Sequence, residues 1–373
     1  MAQGISRPMS TTVTLPAYTS GEDAYRNVAD VVKSYGTSFV VIGGKRAMDA
    51  ALSKLLNSIH GSPLKYLGKF LYGSEPSDES VDNLSKIDKI NQADILFAMG
   101  GGKAIDTVKS LGKKLGKPVF TFPTIASTCA ASTAISVMYD THGVFSHVEK
   151  LGKPPLHVFI DSTIIGNAPV IYLWAGIGDT LAKHVEVSFA GKNDALLHSD
   201  DLATTISRMC VWPHLTFGAQ AIQEASNHQP GEAVNQVVLN NIISTGFVSI
   251  LVDPKYNGAL AHSLFYGLTL LPEIEKNHLH GEVVAYGVLV QLLMDDQTAL
   301  FEELYPFYKL IHLPVCLKDL GLKAERELFV AVLDKTVNGP ELEYSPYPIT
   351  QDMVYAAMMR LEEISISPKG EKQ

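Results

Sequence analysis

One carboxylate and two imidazoles stand out in the second half of the chain. They are Asp179, which closes the run Gly176-Ile-Gly-Asp; His262, inside the apolar run Ala259 to Leu271; and His280, followed by Gly281-Glu282. Together they would form a shell for a divalent metal that keeps one coordination position open, as catalysis at a metal requires. Each has a plainer alternative: Asp179 as a helix N-cap at the start of a helix, His262 as a hydrogen-bonded core histidine, His280 as a polar helix end. In the first half, Met99-Gly-Gly-Gly-Lys103 falls between an apolar strand pattern and an amphipathic helix. Backbone N–H groups at such a helix start can approach a pyrophosphate without interference from Cβ atoms. The spacing is neither that of a Walker A loop nor GxGxxG, so it names no ligand, and a tight structural turn is the alternative. A second cluster, Phe122-Pro-Thr-Ile-Ala-Ser-Thr128, leaves the next strand with three hydroxyls suited to amide or phosphate groups, or else makes a polar turn.

The elements that must hold these residues follow from periodicity. Short β-rich runs at Ser38 to Ile42, Lys65 to Leu71, Ala93 to Met99, Pro118 to Phe122 and Val158 to Asp161 alternate with helical patterns. The helices are expected at Gly21 to Gly36, Arg46 to Ile59, after Ser77, and from Lys103 to Gly116, where Ile105, Val108, Leu111 and Leu115 make one stripe. That alternation predicts an α/β, Rossmann-like parallel sheet wrapped by helices. Beyond Asp161 the strand-length runs give way to long helical patterns such as Tyr172 to Ala190. We therefore expect an α/β domain over 1–163 and an all-α domain over 164–373, with a hinge at Ile164 to Pro169.

Composition narrows the class of function. The 373 residues are 46% hydrophobic and 18% charged, enough to bury a large core. With 39 acidic against 30 basic side chains the formal charge is -9, which gives no attraction to nucleic acid or anionic lipid. Three cysteines, Cys129, Cys210 and Cys316, lack the pairing of a disulfide framework or a zinc ribbon and point to the cytoplasm. Met1 to Tyr18 lacks the apolar core of a signal peptide. The longest apolar stretch, Val234 to Val252, is broken by Asn240, Asn241 and Thr245 among others, and reads as a buried helix rather than a membrane span.

Taken in order, Gly-Gly-Gly-Lys103-Ala-Ile-Asp106, Pro123-Thr-Ile-Ala-Ser-Thr128, Gly176-Ile-Gly-Asp179 and His280-Gly-Glu-Val-Val-Ala-Tyr-Gly287 resemble the iron-containing (group III) alcohol dehydrogenases, near the glycerol dehydrogenases. The resemblance implies a dinucleotide-binding domain, a helical domain and a metal in the cleft between them. It implies Asp179, His262 and His280 as the metal ligands, with zinc the favoured ion despite the family's name. It places Gly101, Gly102, Lys103 and Asp106 around the pyrophosphate and ribose, and Thr124, Ser127, Thr133, Ile135 and Tyr139 around the nicotinamide half. Family members usually self-associate, so a homo-oligomer is the expected assembly.

Three departures refine that expectation. Glycerol dehydrogenases carry an Asp after Ala-Ser-Thr that contacts the polyol, and this chain has Cys129. Cys129-Ala-Ala, Ala175 to Lys183 and Leu271 to Lys276 look more like the hydroxycarboxylate dehydrogenase branch, which reduces 2-oxo acids. Four-ligand members place a His four residues after the Asp, where this chain has Lys183; three protein ligands are expected. Where members that prefer NAD set an Asp against the ribose, this chain has Gly44-Lys45, which leaves NAD and NADP both open. The expected activity is hydride transfer between nicotinamide and a small 2-hydroxy or 2-oxo acid, with Lys183 and Lys276 as candidates to pair with its carboxylate. A polyol dehydrogenase is the alternative, and a dehydroquinate-synthase-like lyase a more distant one.

Overall fold

The computed structural model describes residues 12–141 and 143–366, so residues 1–11 of the Met1 to Tyr18 stretch discussed above lie outside the described residues. The β-branched and aromatic runs form a six-stranded, wholly parallel sheet in the order β1-β8-β5-β4-β2-β3. Its central strands, β2 (Ser38–Gly43), β4 (Ile95–Gly100), β5 (Val119–Pro123) and β8 (His157–Ile160), are almost entirely buried because helices cover both faces. The edges are β1 (Ala17–Ser20) and β3 (Lys65–Leu71). Between the strands run α1 (Val28–Val32), α2 (Lys45–Ser58), α3 (Asp78–Ser85), α4 (Asp88–Gln92) and α5 (Gly102–Leu115). Ser77 caps α3 by accepting the Ser80 N–H, and Gly116 ends α5 at φ +64°, which a residue with a Cβ rarely adopts.

Two additions escape the alternation. β1 is one, and the antiparallel hairpin of β6 (Ile135–Tyr139) and β7 (Phe145–Lys150) is the other. Both are short and partly exposed, so they lack the continuous apolar signal of a buried strand. After Ile160 the described residues hold only helices and turns: α6 (Ser162–Gly166), α7 (Val170–Ala190), α8 (His198–Ser207), α9 (Trp212–Ser226), α10 (Glu232–Leu239), α11 (Thr245–Leu251), α12 (Leu260–Leu268), α13 (Pro272–Asn277), α14 (His280–Met294), α15 (Thr298–Ile311), α16 (Val330–Val337) and α17 (Gln351–Ile366). The expected hinge is half helix. Asp161 accepts the N–H groups of Thr163 and Ile164 and so starts α6, leaving only Asn167 to Pro169 as the turn into α7.

The run read as one helix over Val234 to Val252 is α10, a π-helical turn (Asn240–Ser244) and α11. By length and composition Glu232–Leu251 would suffice to cross a bilayer, but 61% of its apolar window is buried inside the protein. One hydrophobic cluster joins one face of the sheet (Val40, Leu96, Val158) to the long helices (Ile177, Leu181, Val284). The other face packs Phe39, Phe97, Phe120, Phe122 and Phe159 beneath α1 and α2, with ring centroids 4.5 Å apart for Phe39 and Phe97. The chain leaves β2 toward β3 and returns to β4 on the opposite side of β2. This topological switch opens a crevice at the carboxyl ends of β2 and β4, where Gly43, Gly44, Gly100 and Gly101 stand.

Candidate active site

Asp179 lies in the middle of α7, not at its start, so the N-cap alternative falls. Glycine inside a helix costs about 1 kcal/mol relative to alanine, so two in the run Gly176-Ile-Gly need a reason. Close approach supplies it. A Cβ on Gly178 would lie 2.3 Å from the Gly281 carbonyl oxygen, and one on Gly281 would lie 2.0 Å from the Ala175 carbonyl oxygen. The helices α7 and α14 therefore meet backbone to backbone, and His280, the first residue of α14, comes to rest beside Asp179. Glu282 holds the start of α14 by accepting the Leu279 N–H at 3.1 Å and His278 Nδ1–H at 2.9 Å.

The third residue arrives through a carboxylate that the sequence reading passed over. Glu186, fully buried, accepts the N–H groups of Ala259 and His262 at 2.9 Å each, which caps α12. Its other oxygen accepts His262 Nδ1–H at 2.6 Å, turning Nε2 toward Asp179. The signal was present: Glu186 is seven residues after Asp179, two turns along one face of an otherwise apolar helix. His280 Nε2 and His262 Nε2 lie 3.2 and 3.5 Å from the same atom, Asp179 Oδ1. One donor atom from each of the three residues lies within 4.8 Å of the others.

These donors fit a divalent cation. The set is mixed nitrogen and oxygen, three in number, with one imidazole oriented by an outer carboxylate as metal-bound histidines usually are. Without a cation the charges compensate through a proton. Burial raises the Asp179 pKa, but hydrogen bonds from His262 and His280 outweigh it and hold the carboxyl well below its usual range. Burial likewise opposes charging His262, yet Glu186 and Asp179 together push its pKa up to about 10. A cation would take over the role of that proton.

Across the crevice, β4 ends in Gly100 and passes through Gly101 into α5, whose first-turn N–H groups point out of the sheet. A Cβ on Gly43 would sit 2.0 Å from the Met99 carbonyl oxygen, so the two strand ends tolerate no side chain there. Gly44 N-caps α2 beside this crevice. The loop after β5 lies against the turn: Thr124 N–H donates to the Gly100 carbonyl at 3.1 Å, and a Cβ on Gly102 would lie 3.1 Å from Thr128 Oγ1. This backbone opening at a helix N-terminus fits a dinucleotide's pyrophosphate. Lys103 pairs with Glu75 at 2.6 Å and lies over the Tyr139 ring at 5.8 Å. Burial first, then the charges of Asp106 and Glu75, pushes the Tyr139 hydroxyl up to about 12.

Asp106, Thr133 and Ile135 converge on a buried cation that the sequence reading also missed. Lys109 Nζ pairs with Asp106 Oδ1 at 2.8 Å and donates to the Ala130 carbonyl at 2.8 Å, to Thr133 Oγ1 at 3.1 Å and to the Ile135 carbonyl. Asp106 Oδ2 also accepts the Val137 N–H. These six residues tie β6 to α5 and fix the far end of the loop that carries Ser127 and Cys129. Lys109 follows Ile105 by four residues, and a lysine on an apolar stripe is the clue.

Of the remaining candidates, Cys129 is near the cluster: burial, then the Asp179 charge, pushes its thiol up to about 11, so it stays neutral. Lys183 is buried one turn beyond Asp179, its Nζ held by the Asn257 carbonyl at 2.8 Å and Asn257 Oδ1 at 2.9 Å. His184 turns away to Ser207 Oγ at 2.7 Å. Lys276 is exposed in the last turn of α13.

Comparison with known proteins agrees with the fold. The sequence profile described as iron-containing alcohol dehydrogenase matches residues 16–160. Glycerol dehydrogenase of Thermotoga maritima is 33% identical over 299 residues, covering 78% of this chain and 80% of that one. The crystal structure of glycerol dehydrogenase from Schizosaccharomyces pombe superposes with a TM-score of 0.85 at 25% identity, covering 96% of this chain and 94% of that chain. Hydroxycarboxylate dehydrogenase A of Escherichia coli (strain K12) is 34% identical over 326 residues, 87% of this chain and 89% of its own length, and at that likeness the chain belongs to the iron-containing alcohol dehydrogenase family of oxidoreductases.

Proposed function

We propose that the protein is a metal-dependent, NAD(P)-linked dehydrogenase that moves a hydride between nicotinamide and a small 2-hydroxy or 2-oxo carboxylic acid. The observation that carries this reading is the meeting of Asp179, His262 and His280 at one point beside the loop after β5, which itself lies against the glycine turn. A divalent ion held by those three residues would supply a Lewis acid, and a nicotinamide dinucleotide at the glycine turn would supply or take the hydride. The protein's own part is geometry and charge. Gly101, Gly102 and the α5 N-terminus hold the pyrophosphate. The loop from Thr124 to Thr133 shapes the nicotinamide side, and Glu186 keeps His262 aimed. Zinc is the ion the reading favours, the cofactor is NAD or NADP, and the boundary between the two domains falls near 163/164.

Lys183 supports the acid substrate. An ammonium has three hydrogens, and Asn257 receives two, which leaves one for a substrate carboxylate oxygen next to the cluster. The polyol reading keeps a foothold in the glycerol dehydrogenase likeness and in the neutral Cys129 thiol, which a diol could sit against. A homo-oligomer and a cytoplasmic setting, the latter supported by three unpaired cysteines, complete the proposal.

A substrate panel scored by cofactor absorbance tests it, with 2-oxobutyrate, 2-oxoglutarate, an uncharged ketone and glycerol offered under both cofactors. Lys183→Met should lose about 10- to 100-fold in kcat/KM on the 2-oxo acid and far less on the ketone. Equal losses on both would remove the carboxylate contact. Turnover on glycerol alone would move the assignment to the polyol class, and product formed without net absorbance change would move it to a lyase.

A further inference from the structure

The π-helical turn Asn240–Ser244 sits where an ordinary helix would serve as well for burial. Such a turn is less favourable than α-helix and persists where its surroundings hold it. Here its side chain and its carbonyl both reach out of the helix. Asn241 is fully buried and uses all four valences of its amide. Its Nδ2 donates to the Ala126 carbonyl at 2.9 Å and lies 3.5 Å from the Leu173 carbonyl, while Oδ1 accepts His214 Nε2–H at 2.7 Å and the Thr180 hydroxyl at 3.1 Å. One residue on, the Ile242 carbonyl accepts Ser132 Oγ–H at 2.5 Å. The π turn therefore grips the loop after β5 at Ala126 and at Ser132, on either side of Ser127 and Cys129.

The same amide grips α7. Thr180 adjoins Asp179, and Leu173 lies on the turns before it. Gly176 allows the approach, because a Cβ there would lie 2.0 Å from the Ala126 carbonyl oxygen and 2.5 Å from Asn241 Nδ2. Gly246 does the same at the other grip, where a Cβ would lie 1.9 Å from Ser132 Oγ. We propose that Asn241 is a positioning residue: by clamping the Ala126–Ser132 loop to the helix that carries Asp179, it sets the gap between the nicotinamide side of the crevice and the Asp179, His262, His280 cluster. The role rests on the dehydrogenase reading above, since it is the hydride that must cross that gap.

Asn241→Asp preserves size and both acceptor contacts but removes the two donations to Ala126 and Leu173. The pyrophosphate turn at Gly101 is untouched, so dinucleotide affinity, read by fluorescence of the bound reduced cofactor, should stay within about threefold of wild type. Single-turnover hydride transfer from saturating cofactor should fall about 100-fold, the penalty of a small misplacement. Amide hydrogen exchange over residues 124–133 should accelerate while exchange over 101–105 does not change. A merely structural role would lower the melting temperature and the bindable fraction together and leave transfer per bound cofactor unaltered; that result, or unchanged exchange at 124–133, overturns the proposal. If Asn241→Asp does not fold, Ser132→Ala removes the second grip alone, and the same pair of readouts decides. Wild-type protein that transfers no hydride to any substrate would sink the dehydrogenase reading, while the exchange measurement would still decide the clamp.

Discussion

The two walls of the crevice are built from different materials. On the sheet side the cradle is backbone: strand ends, glycines and the first turn of α5, with side chains such as Lys109 and Asp106 spent on holding loops in place. On the helical side the site is side chains, carried by α7, α12 and α14 and brought together by glycines that let helices touch. A backbone cradle tolerates change in its neighbours as long as the turn survives. A side-chain cluster depends on each helix sitting within tenths of an ångström, so its supports should be the more fragile.

Paired glycine substitutions break or sharpen that contrast most strongly. At Gly281 an added Cβ meets backbone of α7 at 2.0 Å, whereas at Gly101 it meets only the end of the Ile125 side chain at 2.6 Å. Gly281→Ala should cost about 3 kcal/mol or more in denaturant unfolding, and Gly101→Ala about 1 kcal/mol or less, because a flexible side chain can shift and a helix axis cannot. Equal costs would mean that the two walls are equally rigid.

A smaller effect is expected where no ligand atom changes. Glu186→Gln keeps the shape and loses the charge behind His262, so divalent-metal affinity should fall about 10- to 100-fold with little change in the circular dichroism spectrum. Unchanged affinity would show that the N–H groups of α12, not the carboxylate charge, are what Glu186 serves.

Much of this layout was legible in the sequence, and the failures share a cause. The strands at Ser38, Ala93 and Pro118 carry apolar runs and the helix from Lys103 an apolar stripe, which mark burial directly, while the edge strand at Lys65 is marked by its aromatic and aliphatic residues alone. The hairpin at Ile135 and Phe145 and the strand at Ala17 are half exposed and too short to show a period. Asp179, His262 and His280 were visible as residue types, yet their meeting depends on Gly178 and Gly281, whose role exists only once α7 crosses α14. Glu186, Lys109 and Asn241 act through partners 21 to 115 residues away. No local spacing records such partners, although each is a polar residue on an apolar helix face.

The smallest expected effect is on pH stability, and it belongs to the helical side. Burial outweighs the hydrogen bond to Asn241 and lowers the His214 pKa to about 4. The unfolded chain, with an ordinary imidazole near 6.5, therefore binds a proton that the folded protein refuses, and stability falls as pH drops from the unfolded value toward the folded one. Between pH 7 and about pH 5.5 this group should cost about 1 kcal/mol. His214→Gln should flatten the acid limb of the melting curve by that amount; an identical limb would assign it to other groups, such as His184, whose pKa burial also lowers to about 4.

The central claim is that Asp179, His262 and His280 bind one cation on which turnover depends. Its most direct test is a zinc titration of chelator-treated protein, followed by calorimetry and by turnover in the same samples, for wild type and for Asp179→Asn. The account predicts one equivalent bound by the wild type with activity rising in step, and loss of both in the variant. Full activity in the metal-free wild type, or equal binding by Asp179→Asn, would contradict it.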